Sequence, residues 1–147
     1  MDHKDLDVWK KSMDLVELIY DFTRSFPQDE IYGLTSQMKR AVVSIPSNIA
    51  EGASRKGDKE LIQFLMIAIS SITELETQYL ISIRLRFADK NKNLEDSMVE
   101  VKKILLGFRN NIIKDHIEIL PKTCPDRKPI VHNIMDKYQL KKNRKVW

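Results

Sequence analysis

A chain of 147 residues has the length of one domain, and its 42% hydrophobic and 31% charged residues match a water-soluble fold. Four glycines and five prolines are too few turn residues for an all-β sandwich or barrel, and a single cysteine excludes a disulfide framework or a cysteine zinc site. The net charge of +4 is held unevenly: residues 121–147 carry eight Lys or Arg against Asp126 and Asp136, a balance of +6, so the first 120 residues balance at −2.

The first helical pattern opens near Asp5 or Asp7, either of which can cap a first turn. Trp9, Met13, Val16, Tyr20 and Thr23 recur at spacings of three and four, and Leu6, Leu15, Ile19, Phe22 and Phe26 widen that stripe until Pro27. A second helix carries Leu34, Met38, Ala41, Val42, Ile45 and Ile49 on one face. Pro46 lies inside it and removes a backbone hydrogen bond, so a kink is expected, with Ser44 or Ser47 satisfying freed groups. Gly52 reads as the stop.

The third helix is the longest, over residues 58–87, with Asp58 as its cap. Leu61, Phe64, Leu65, Ala68, Ile72, Leu75 and Tyr79 form one apolar line. Ile62, Met66, Ile69, Leu80 and Ile83 form a second. Two stripes need covering on two sides, which predicts a subunit contact at Ile62, Met66 and Ile69. A polar loop precedes a fourth helix, capped by Asn93 and lined by Leu94, Met98, Val101, Leu105, Phe108, Ile112 and Ile119. Prolines at 121, 125 and 129 predict an extended linker, followed by a short basic helix presenting Ile130, Ile134 and Tyr138.

The expectation is therefore all-α: an antiparallel up-down four-helix bundle over residues 1–120, with a Pro-containing linker and basic extension over 121–147. No apolar run approaches the ~20 residues that span a bilayer, and the first residues lack a signal-peptide core, so no membrane association and a cytoplasmic location are expected.

Catalytic chemistry finds no footing. Di-iron bundles need Glu-x-x-His pairs, but Ile113 and Pro129 stand three residues before His116 and His132. Glu74 and Glu76 diverge by about 200° on one helix and cannot act as an acid/base pair. Glu51 stands four residues before Arg55, the spacing of a helical ion pair or of a fastening at the helix C-terminus. No Gly-rich phosphate loop occurs. The chain reads as a non-enzyme without metal or cofactor.

What remains is cationic: Lys39 and Arg40 on the second helix, Arg55, Lys56 and Lys59 around the following connection, and Lys141, Lys142, Arg144 and Lys145 near the end. Such side chains contact phosphates without reading sequence, and Tyr138 and Trp147 are candidates for stacking on unpaired bases.

Three stretches carry a resemblance: residues 5–13, beginning Asp5-Leu6-Asp7-Val8-Trp9; residues 32–52, from Tyr32-Gly33-Leu34 to Ile45-Pro46-Ser47-Asn48-Ile49-Ala50-Glu51-Gly52; and residues 64–78, ending Glu74-Leu75-Glu76-Thr77-Gln78. Together they resemble the four-helix-bundle proteins encoded by intervening sequences of bacterial large-subunit ribosomal RNA genes, over about residues 5–120. The resemblance implies a ring-like homopentamer. By fold it also implies a likeness to the accessory variability determinant of diversity-generating retroelements, which binds nucleic acid and a reverse transcriptase. The resulting expectation is a homo-oligomer, pentameric by resemblance, that binds structured RNA through its basic surface and tail. The alternative is a protein-interaction or assembly scaffold.

Overall fold

Buried residues at spacings of three and four line the first three helices of the chain. The computed structural model describes residues 1–138 and, among them, five α-helices and no strand: α1 (Asp7–Thr23), α2 (Leu34–Ala53), α3 (Asp58–Arg84), α4 (Lys92–Ile119) and α5 (Arg127–Lys137). Two compact units divide the chain, one of residues 1–107 and another from Phe108 onward, the division falling inside α4. None of the described helices is long and apolar enough to cross a membrane.

In the first unit α1 buries Val8, Ser12, Leu15, Ile19 and Phe22, with buried Phe26 continuing the four-three alternation beyond the helix. Leu15, Ile19, Phe22, Thr23 and Phe26 of the expected stripe are buried, and its other side is corrected: Met13 and Tyr20 are each 40% exposed. Aromatic packing accompanies the choice of face: Phe22 lies 5.3 Å from the Tyr79 ring and 5.5 Å from Phe26. Ser12 sits in the core because its hydroxyl donates to the Trp9 carbonyl at 2.7 Å, leaving no bare donor. Asp7 is the first helical residue and Leu6 the cap, so the acid at this end acts through the helix dipole and makes no capping bond.

The expected stripe of α2 is buried in full, and the helix runs unbroken through buried Pro46. Neighbouring carbonyls find side-chain donors: Ser47 donates to the Val43 carbonyl at 2.8 Å, and Asn48 donates to the Ser44 carbonyl at 2.8 Å and its hydroxyl at 2.9 Å. The Ser44 hydroxyl also meets that of Ser71 on α3 at 2.9 Å. At the start of α2 the Glu30 carboxylate accepts from the Leu34 N–H at 2.9 Å, a side-chain cap four residues upstream.

Gly52 does not stop the helix. It is buried one residue before the end, where a Cβ would stand 2.9 Å from Cβ of Phe64 and 3.0 Å from Cδ1 of Leu61. It is a close-approach glycine between α2 and α3.

α3 starts from Gly57, with Asp58 as its first residue, and ends at Arg84, three residues short of expectation. Arg86 then adopts φ 60°, and the Phe87 N–H donates to the Ser82 carbonyl at 2.9 Å, the bond that closes a left-handed helix end. Phe87 is thereby placed 5.7 Å from Phe26. Asn91, not Asn93, caps α4: its side chain accepts from the Leu94 N–H at 3.0 Å.

Tyr79 fastens this corner. Its hydroxyl accepts from the Asn91 N–H at 2.9 Å and donates to the Glu95 carboxylate at 2.7 Å. Burial pushes the phenol above its ordinary 10.0, the Asn91 bond opposes that rise, and Glu95 adds to it. The folded chain therefore holds this proton more tightly than the unfolded chain does. The group's stabilisation is complete below pH 10 and is lost as pH rises above it. Tyr79→Phe is expected to cost about 1 kcal/mol near neutrality. Urea titrations between pH 9 and 11 should show a shallower loss of stability for the variant than for the parent chain.

In the second unit Ile112, Ile113 and Ile117 of α4 and Val131 and Met135 of α5 are buried. Arg127 donates to the carbonyls of Leu120 and Ile117 at 3.3 and 3.4 Å at the end of α4, the Ile117 carbonyl also accepting from the Leu120 N–H. The expected linker is shorter than its prolines implied. Pro129 is the third residue of α5, inside a first turn whose N–H groups have no helical partner. The buried face of α5 is Val131 and Met135; Ile130 is exposed and Ile134 and Tyr138 are half-buried.

Candidate nucleic-acid interface

The cations of the first unit fall into two groups. Lys39 and Arg40 lie in the second turn of α2, while Arg55 and Lys56 follow its end and Lys59 opens α3. Fifteen residues at 1.5 Å per residue separate Arg40 from Arg55 by about 22 Å along the helix direction. One nucleic-acid backbone spans that distance; a single phosphate does not.

The second group is partly engaged. Arg55, just past the end of α2, pairs with Glu51 of its last turn, a C-terminal fastening, and its guanidinium lies 5.1 Å from the centre of the Phe64 ring. Lys56 and Lys59 are exposed.

Beside Lys39 and Arg40 lies an open groove of about 750 Å³, lined by Tyr20 from α1, Ile31 and Tyr32 from the connection, and Thr35, Ser36, Val43, Ser44 and Ser47 from α2. The Lys39 ammonium sits 4.6 Å above the Tyr20 ring, an attraction between cation and ring quadrupole that holds the long side chain in place. Tyr32 is 96% exposed, and Arg40 is exposed beside it on the groove wall. Cations, hydroxyls and an exposed ring thus share one concave surface. Lys39 and Arg40 stand out in the sequence by charge, whereas helical spacing puts Tyr20 on an apolar stripe. The signal for Tyr32 was its position: a ring between a polar break and a helix start has no apolar partners at helical spacing.

Other candidate residues fall elsewhere. Lys141, Lys142, Arg144, Lys145 and Trp147 lie outside the described residues. Tyr138 is half-buried, with the Lys137 ammonium 5.5 Å from its ring. Of the expected subunit-contact residues, Ile62 is only 3% exposed within a single chain, whereas Met66 and Ile69 are half-buried. The same stripe continues into Leu80, which is 59% exposed. Glu76 pairs with Lys102 of α4 at 2.7 Å, and Glu74 accepts from Gln78, so the two carboxylates have separate structural partners. Arg109 is buried, and desolvation lowers its pKa; it is not a surface phosphate contact. No cluster of three metal-ligating side chains occurs among the described residues.

These features define an all-helical protein with cationic and aromatic side chains gathered on one face of its first unit. The family model for the 23S rRNA-intervening sequence protein matches residues 4–107, and the chain belongs to that family. The match covers the first unit and ends where the division inside α4 falls. No curated protein matches the chain.

Proposed function

We propose that this chain is a non-enzymatic, homo-oligomeric helical protein, an antiparallel up-down bundle that binds structured RNA through its basic surface and tail. The observation that carries the reading is the groove, where Lys39 and Arg40 stand beside exposed tyrosines in a concave, hydroxyl-bearing wall. Phosphate contacts by such cations supply affinity without sequence readout. Arg55, Lys56 and Lys59 extend the track along α2, and the +6 of residues 121–147 adds a second basic element.

Assembly is assigned to the accessible part of the second α3 stripe, Met66 and Ile69, continuing toward Leu80. Ile62 serves the chain's own core in this reading. Pentameric stoichiometry and a reverse transcriptase as partner enter only through the family resemblance and the fold analogy. Repetition of the basic face in an oligomer raises avidity wherever geometry permits simultaneous contact.

Salt dependence tests the RNA reading. The logarithm of affinity for a structured RNA should fall linearly with the logarithm of salt, by about 0.7–0.9 per phosphate contacted. Lys39→Glu with Arg40→Glu should reduce that slope by about 1.5. A slope near zero for the parent chain leaves the scaffold reading, for which exposed Leu80, Leu85 and Val99 offer the surface. Light scattering at micromolar concentration tests assembly, and a monomer overturns it.

A further inference from the structure

We propose that the groove between α1 and the start of α2 is a receptor for one unpaired RNA nucleotide, with Tyr32 as the platform on which its base stacks. This rests on the RNA-binding reading above and commits it to a site. The two rings have different fates. Tyr20 already has the Lys39 ammonium 4.6 Å over its face, so that face serves to fix a cation on the groove wall. Tyr32 is 96% exposed, so its ring is open to stacking in a way that a core tyrosine is not.

An apolar ring so exposed is costly to hydrate, and a base offers a π-face that covers it regardless of identity. The charge on the same wall selects what accompanies the base. Lys39 and Arg40 line the groove with Tyr32, and no Asp or Glu belongs to its lining, so a phosphate is the complementary anion. The Glu30 carboxylate just upstream is engaged by the Leu34 N–H. The hydroxyls complete the fit: Thr35 and Ser47 lie on the wall, and Ser47, donating to the Val43 carbonyl, keeps lone pairs to accept from a ribose hydroxyl. A volume of about 750 Å³ falls in the range of small-ligand sites and admits one nucleotide, not a duplex. The receptor therefore takes a base out of a bulge or loop, while the cations nearer the α2–α3 connection follow the flanking backbone.

Two RNA hairpins of equal length and charge test this on the full chain, one fully paired in its stem and one carrying a bulged 2-aminopurine. The parent chain should bind the bulged hairpin about 10-fold more tightly, with the fluorescence quenched by stacking. Tyr32→Ala should abolish the preference and the quenching, bringing the affinity for the bulged hairpin down to that for the paired one; the side chain is too exposed for its loss to unfold the protein. Tyr32→Phe should keep both, because the ring remains. Equal binding of both hairpins by the parent chain, or parent-like behaviour of Tyr32→Ala, overturns the receptor and leaves RNA binding standing. A Tyr32→Phe variant that behaves like Tyr32→Ala overturns stacking in favour of a hydroxyl bond. Failure of the parent chain to bind either hairpin overturns the RNA-binding reading and the receptor with it.

Discussion

Gly52→Ala is expected to lower the melting temperature by roughly 5 °C, while the same substitution at Gly107 raises it by a few degrees. Both glycines lie inside helices and neither has positive φ, so replacement by alanine gains about 1 kcal/mol of helix propensity at each. Surroundings decide the sign. At Gly107 nothing lies within 4 Å of the new methyl, and the gain is realised in full. At Gly52 the methyl meets Phe64 Cβ at 2.9 Å, an atom fixed to the α3 backbone that cannot swing aside. Relief requires α2 and α3 to separate, at a cost of about 1–3 kcal/mol for overpacking. At this chain length each kcal/mol moves the midpoint by roughly 3–5 °C. Gly52→Val, with two more carbons at the contact, should fall further. Thermal melts by circular dichroism rank the three variants, and a Gly52→Ala protein stabilised as much as the Gly107→Ala one refutes the close approach.

The same glycine marks a limit of what the sequence discloses. Gly52 reads as a helix stop because glycine is common just past helix ends. Its real role depends on Phe64 across a helix pair, which no local rule sees. α1 teaches a related lesson. Trp9, Met13, Val16 and Tyr20 keep helical spacing as well as Val8, Ser12, Leu15 and Ile19 do, and the true line even includes a serine. Periodicity establishes the helix in both cases; packing against partners such as Tyr79 accompanies the face that is buried. The α2 stripe was legible because no rival line competes with it, and Ser47 was legible as a donor because its partner lies four residues away on the same helix. At the candidate interface, Lys39 and Arg40 stood out by charge alone. Tyr20 and Tyr32 join them only through the fold, which brings α1 and the connection together at the start of α2.

Truncation after residue 138 should leave melting unchanged and weaken RNA binding, whereas truncation after residue 121 should lower the melting temperature by roughly 10 °C. Residues 139–147 contain Lys141, Lys142, Arg144 and Lys145 and no acid, so their removal takes four positive charges from each chain. If all four contact phosphate, the salt slope falls by about 3. The longer deletion does something different. It takes away α5 with buried Val131 and Met135, each worth about 1.5–3 kcal/mol of apolar burial. It also removes Arg127, which donates to the carbonyls of Ile117 and Leu120. A linker-and-arm view of residues 121–147 expects the whole segment to be dispensable for folding. Within that segment the structure describes a helix that buries side chains, and the sequence alone supplies the terminal cationic run. Melting temperature and RNA affinity measured on both truncations separate these contributions. An unchanged melting temperature after the longer deletion contradicts a structural role for α5, and unchanged affinity and slope after the shorter one remove the terminal cations as a binding arm.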